Sequence, residues 1–244
     1  MTYQYAVERA DYADLASGKV FYNQAGQPAF PIRLTSEIFQ RCAAIRAQHG
    51  EYAKAVVYDP CCGSGYLLST LGYLHAEGIQ RLIGSDIAPE VLRTAALNLS
   101  LLTMTGLEQR RNAIVQMVEQ YGKESHRDAL AAIERMTPRI RDLQIETTTF
   151  LADATDPAAI KATLTPASVQ IVIADVPYGL HSMWQGAHLG DPLASMLTAL
   201  QAVLAPKAVV AICTDKAQKA QHPDFRRVDQ FQMGKRRITL LMSL

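Results

Sequence analysis

From Lys54 onward the chain alternates between two hydrophobic periods. Short apolar runs rich in β-branched residues, "KAVVYD", "RLIGSD", "TTTFLAD", "VQIVIAD", "AVVAICTD" and "RRITLLMSL", predict strands. Between the first of them lie segments with helical spacing. "YLLSTLGYLHAEG" predicts a helix with Gly78 as its C′ stop, and "PEVLRTAALNLSLL" one with Pro89 in its first turn. This alternation predicts an α/β fold with a doubly wound, Rossmann-like sheet. The segment Leu107–Leu143 is too long for an ordinary crossover. Its apolar positions, Ile114, Val115, Val118 and Tyr121, then Leu130, Ile133, Met136 and Ile140, predict two helices flanking "YGKES", inserted between the second and third strands. Residues 1–50 read as an N-terminal extension, in which "QPAFPIRLTSEIFQRCAAIRAQHG" predicts a proline-bearing loop and then a helix capped by Thr35 or Ser36. Residues 51–244 form the expected core. With no repeat or linker in view, residues 1–244 are expected to form a single domain.

Four of the strands end in an aspartate: Asp59, Asp86, Asp153 and Asp175, with Asp215 after a fifth. Ligands of doubly wound sheets bind at those carboxyl ends. The turn "DPCCGSGYLL" has Gly63 and Gly65 but Leu68 where a dinucleotide fingerprint has its third glycine. A carboxylate at Asp59 would repel a phosphate. It would attract S-adenosylmethionine, which carries a sulfonium and an ammonium and no phosphate. The two glycines let the backbone approach such a cofactor. Asp86, 21 residues after Gly65, is placed to accept from ribose hydroxyls, and Asp153 from the adenine amino group. Cys61, Ile87 and Ala154 flank these positions and complete the expected cofactor-binding set, to which Asp175 also belongs.

The second motif is "DVPYG", Asp175–Gly179. An exocyclic amine on a base is a poor nucleophile because its lone pair is delocalised into the ring. Acceptors bonded to its hydrogens would turn that lone pair toward an incoming methyl. Asp175 and a carbonyl near Val176 are the candidate acceptors, Pro177 holds Val176 extended, and Tyr178 is the candidate stacking surface for a base drawn out of its helix. No strong general base is required in this scheme, because the amine can lose its proton after transfer. The motif resembles the Asp-Pro-Pro-Tyr signature of S-adenosylmethionine-dependent amino-methyltransferases, with Val176 replacing the first proline.

Composition narrows the partners. The 244 residues carry a net charge of +1, so any nucleic-acid site must be a local patch rather than a global attraction. "FRRVDQFQMGKRRITLL" offers Lys235, Arg236 and Arg237 as such a patch, or as an ordinary solvated hairpin. Arg33 is a further candidate for RNA or for the cofactor carboxylate, with a structural ion pair as the plain alternative. The arginines of the insertion are interleaved with acids and read as a solvated face, and His181 as a loop histidine. The four cysteines include no C-x-x-C, and no metal site is expected. Adjacent Cys61 and Cys62 read as small residues packed under the loop. A reduced, cytoplasmic setting is expected. No apolar run has the length to span a bilayer, and the N-terminus lacks a signal-peptide core.

Taken together, "PAFPIRLTSEIFQR", "DPCCGSGYLL", "GSDI", "YGKES" and "DVPYG" resemble the AviRa-type ribosomal RNA methyltransferases, associated with avilamycin resistance. The similarity runs from about Ala16 to the last strand. It implies a class I methyltransferase sheet and methylation of a guanine in large-subunit (23S) ribosomal RNA, with antibiotic resistance as an associated role. The DVPYG motif alone leaves open an amino-methyltransferase acting on adenine, cytosine or a glutamine side chain. A non-catalytic module that only binds S-adenosylmethionine is the third possibility.

Overall fold

The computed structural model describes residues 10–16, 18–24, 26, 29–177, 184 and 190–244. Seven strands form one sheet in the order β3-β2-β1-β4-β5-β7-β6. They are β1 (Ala55–Asp59), β2 (Ile79–Asp86), β3 (Glu146–Leu151), β4 (Val169–Asp175), β5 (Leu204–Thr214), β6 (Phe225–Met233) and β7 (Arg236–Ser243). The first five run parallel, while β7 is antiparallel to β5 and to β6. The chain moves outward from β1 to β3, then returns to β4 on the other side of β1. That reversal opens a crevice between the carboxyl ends of β1 and β4.

Successive residues of each central strand are buried on opposite faces, as expected of a sheet covered on both sides. Val57, Ile171, Ile173, Val209 and Ala211 pack with α1 (Ile32–Gln48), α2 (Tyr66–His75) and α3 (Pro89–Ser100). Tyr58, Val172, Ala174, Val210 and Ile212 pack on the other face with α6 (Pro157–Lys161) and α7 (Pro192–Gln201). The helix expected within the N-terminal extension is therefore a layer of the sheet's own core, through Leu34, Ile38, Phe39 and Cys42.

The expected insertion is α4 (Met104–Tyr121) and α5 (Glu124–Arg141). Thr103 caps α4 by accepting from the Gly106 amide at 3.1 Å, and Gly122 ends it in the left-handed conformation at φ 61°. The pair packs against Leu15, Val20 and Phe21 of the N-terminal segment.

Two local expectations are corrected. Helix α1 begins at Ile32 after Pro31, so Thr35 and Ser36 lie inside it. Thr35 donates back to the Pro31 carbonyl and Ser36 hydrogen-bonds His75. Gly78 is not a left-handed stop, because α2 runs into a 3-10 turn over Ala76–Gly78. Its lack of a side chain instead admits the Phe39 ring, which would lie 3.3 Å from an added Cβ.

Candidate active site

The turn after β1 is built by three constraints. Asp59 accepts from the Cys61 amide at 3.0 Å, the Cys62 amide donates to Ser85 on β2 at 2.9 Å, and the Gly65 amide returns to the Cys62 carbonyl at 2.8 Å. Gly65 has φ 69°, and a Cβ there would lie 3.0 Å from the Ala95 backbone, so glycine is required twice over. Gly63, at φ 51°, presents its amide to Asp86 Oδ2 at 2.9 Å. Asp86 Oδ1 accepts from Ala88 at 3.0 Å. Asp86 thus ties the glycine turn to the end of β2, and each carboxylate oxygen keeps a lone pair for a ligand.

A second tie comes from Asn98, a buried polar residue on α3. Its amide nitrogen donates to Ser64 and to Tyr22, and its oxygen accepts from the Tyr22 amide. One side chain therefore fixes the glycine turn and the N-terminal strap. An asparagine within the apolar face of "TAALNLSLL" was the signal for it, and sequence reasoning passed over it.

The resulting cavity of about 550 Å³ sits in the crevice at the ends of β1, β2 and β4, a volume ordinary for a cofactor site. Asp59, Cys61, Gly63, Asp86 and Ile87 line it on one side. Asp153, Ala154, Asp175 and Pro177 line it on the other. Gly65 shapes the turn without lining the cavity. Asp153 lies two residues beyond the end of β3, not at it, and accepts from the amide and hydroxyl of Thr155. Asp175 ends β4, and the Val176 amide after it donates to the Cys213 carbonyl at 3.2 Å. Tyr178 and His181 lie outside the described residues. Phe30 and Trp184, not foreseen from the sequence, add aromatic walls.

The basic candidates separate. Arg33 and Lys235 are exposed and do not line the cavity. Arg237 donates to the Gln218 carbonyl at 3.5 Å. Arg236 turns into the cavity, with Nε 3.9 Å from Asp175 Oδ1 and its guanidinium 5.2 Å from the Phe30 ring centroid. It therefore lines the cavity instead of standing with Lys235 on the exposed hairpin turn.

Electrostatics define what the cavity accepts. Asp59 is 2% exposed, and burial pushes its carboxyl well above the ordinary aspartate value. The Cys61 amide opposes that rise, while Asp175 and Asp86 add to it. A cation beside Asp59 would relieve both the desolvation and the like-charge repulsion. Burial, reinforced by Asp59, Asp86, Asp175 and Asp153, also raises the Cys61 thiol, which argues against a cysteine nucleophile. S-adenosylmethionine fits these residues: its positive charge would meet the acids, its ribose hydroxyls could be accepted by Asp86, and it brings no phosphate. Among the described residues no group of three or more His, Cys, Asp or Glu is arranged to hold a metal ion. No helix among them is long and apolar enough to cross a membrane.

Comparison with known proteins converges on the same assignment. The family model for the rRNA methyltransferase AviRa matches residues 1–236. The 23S rRNA (guanine(2535)-N(1))-methyltransferase of Streptomyces viridochromogenes is 37% identical over 243 residues, covering 99% of this chain and 96% of that one. A solved structure of the rRNA methyltransferase AviRa from Streptomyces viridochromogenes superposes with a TM-score of 0.87 at 36% identity, over 99% of this chain and 96% of that one. TrmN from Thermus thermophilus shares the fold, with a TM-score of 0.52 at 16% identity over 90% of this chain and 51% of that one. The chain belongs to the AviRa family of rRNA methyltransferases.

Proposed function

We propose that this chain methylates N1 of a guanine in large-subunit (23S) ribosomal RNA, with S-adenosylmethionine as donor. The observation that carries the reading is the acid-lined cavity at the switch point of the sheet, where buried Asp59 faces Asp86 and Asp175. When bound, S-adenosylmethionine supplies an electrophilic methyl group and leaves as a neutral thioether. The protein's part is to bind, to orient and to move one proton. Asp59 and Asp86 would hold the cofactor's charged and hydroxyl groups. The backbone at Asp153 and Ala154 would border the adenine, and Asp175 would face the base.

The N1 target is supported by the name of the relative from Streptomyces viridochromogenes, and it changes what Asp175 has to do. N1 of guanine carries a proton and has no free lone pair in the ring plane while it keeps it. An exocyclic amine can shed its proton after transfer, but N1 must lose its proton as the new bond forms. Asp175, at the end of β4 and on the cavity wall, is the proposed acceptor. Positioning of the base against the methyl group accounts for much of the remaining rate. Protection of the ribosome against avilamycin-type antibiotics is the proposed consequence in the cell.

The test is incubation with tritiated S-adenosylmethionine and separate pools of 23S ribosomal RNA, DNA and protein. Label in the ribosomal RNA alone is expected. Label in DNA or protein would replace this reading by another amino-methyltransferase activity, and binding without any transfer by a cofactor-binding module.

A further inference from the structure

The basic triplet at 235–237 is divided by the strand it enters. Side chains alternate across β7, so neighbouring arginines leave on opposite faces. Lys235 is exposed in the hairpin turn, Arg237 reaches Gln218, and Arg236 lies inside the cavity. The guanidinium of Arg236 is held over Phe30, and its Nε stands 3.9 Å from Asp175 Oδ1, an ion-pair separation. Among the described residues that line the cavity it is the one cation, beside the carboxylates of Asp59, Asp86, Glu90, Asp153 and Asp175.

We propose that Arg236 is a positioning residue for methyl transfer: it holds the Asp175 carboxylate ionised and turned toward the guanine edge, so that Asp175 accepts the N1 proton. The proposal rests on the guanine-N1 reading above. The groups around Asp175 explain why such a residue is needed. Asp59 from β1 and the thiols of Cys61 and of Cys213 on β5 are within electrostatic reach of Asp175, while Asp86 from β2 and Asp153 from beyond β3 line the same cavity. Arg236 on β7 is the positive member of this set. Neighbouring carboxylates sharing one crevice resist ionising together, and a cation beside one of them favours its charged form. Arg236 adjoins Asp175. Burial raises the Asp59 carboxyl, so Asp59 rather than Asp175 is the acid more disposed to hold a proton before the cationic cofactor arrives. In the step itself, the electron pair of the N1–H bond, released as the proton leaves, forms the bond to the methyl carbon, and the carbon–sulfur bond breaks with its electrons on sulfur. The N1 proton passes to the Asp175 carboxylate and from there to solvent.

The test compares Arg236→Met and Arg236→Lys with the wild-type protein, measuring kcat and KM on 23S ribosomal RNA across pH and S-adenosylmethionine affinity by calorimetry. In Arg236→Met, cofactor affinity and the KM for RNA should stay within about threefold, which also shows that the variant is folded, while kcat at neutral pH falls at least about tenfold. The acidic limb of its kcat profile should move up by about one unit or more, so that the deficit narrows at alkaline pH. Arg236→Lys should recover most of the rate. An unmoved limb with a raised KM for RNA would make Arg236 a phosphate contact, and an unmoved limb with weakened cofactor binding a partner of the cofactor's carboxylate. Either result overturns the proposal. Failure of the N1 reading shows separately, as wild-type product that contains no 1-methylguanine.

Discussion

Asp59 shows at the scale of one residue how stability and function oppose each other in this cavity. Its carboxyl is raised by burial, so its ionised form destabilises the fold. A carboxyl with a raised folded-state pKa contributes stability that is fully present below the unfolded value and is lost as pH rises through the folded one. Asp59→Asn should therefore raise the Tm of cofactor-free protein at neutral pH by about 2–4 °C, the shift that ~1 kcal/mol produces in a chain of this size, and the gain should vanish in acid. The same variant should weaken S-adenosylmethionine binding at least about tenfold, since a bond to a charged group worth roughly 1.5–3 kcal/mol is lost. Cofactor binding to the wild type should release a proton at mildly acidic pH, measurable by calorimetry in buffers of different ionisation enthalpy, and Asp59→Asn should abolish that release. Unchanged cofactor affinity in Asp59→Asn would remove this carboxylate from the site. The acids were legible in the sequence because strand-end aspartates and a Gly-x-Gly turn stand in register. The placement of Arg236 was not, since nothing in "GKRRITLL" says which arginine the pleat turns inward; the hairpin register with β6 decides that.

At the scale of elements, the glycine turn depends on what the neighbouring strand leaves out. A Cβ at Gly84 on β2 would meet Cys62 Sγ at 2.8 Å and both Cys62 Cβ and Leu68 at 3.0 Å. Gly84→Ala should destabilise the protein by about 1–3 kcal/mol, the usual cost of overpacking, seen as a lower urea midpoint, and should weaken cofactor binding by displacing the turn. An unchanged cofactor affinity would mean that the turn does not need this support. The insertion acts on the site from farther away. Buried Arg110 on α4 donates to the Val20 carbonyl at 2.8 Å and lies 4.2 Å over the Tyr22 ring. Arg135 on α5 binds Asp14 through two nitrogens. The helices thus clasp the N-terminal strap that leads to Gly26 and Phe30 at the cavity. Arg110→Met should orphan a buried carbonyl, at a cost of about 1–3 kcal/mol, and speed proteolysis within residues 18–24. Proteolysis at the wild-type rate would contradict the clasp. The two inserted helices were legible from their apolar spacing, but this clasp was not, because it joins residues ninety positions apart. Strand β6 was read only as part of a hairpin, since an edge strand with one wet face lacks the apolar run that marks a buried one.

Over the whole molecule, the net charge of +1 leaves RNA recognition to local groups. With Arg236 in the cavity, the exposed candidates are Arg33 and Lys235. Replacing both by alanine should weaken RNA binding and reduce the slope of log K against log salt by about 1–2, while S-adenosylmethionine affinity stays constant; an unchanged slope would exclude them as phosphate contacts. The sheet order was legible as a class from the strand–helix alternation, and it is what brings Asp59 and Asp175 to the same crevice from opposite sides of the reversal. The atom methylated was not legible, because an Asp-Val-Pro-Tyr turn suits several planar nitrogen acceptors. The most direct test is therefore mass spectrometry of nucleosides from 23S ribosomal RNA treated with the protein and methyl-labelled S-adenosylmethionine. Label in 1-methylguanosine at a single position is the expected result. Label in N2-methylguanosine, in a methylated adenosine, or in no ribosomal nucleoside would contradict it.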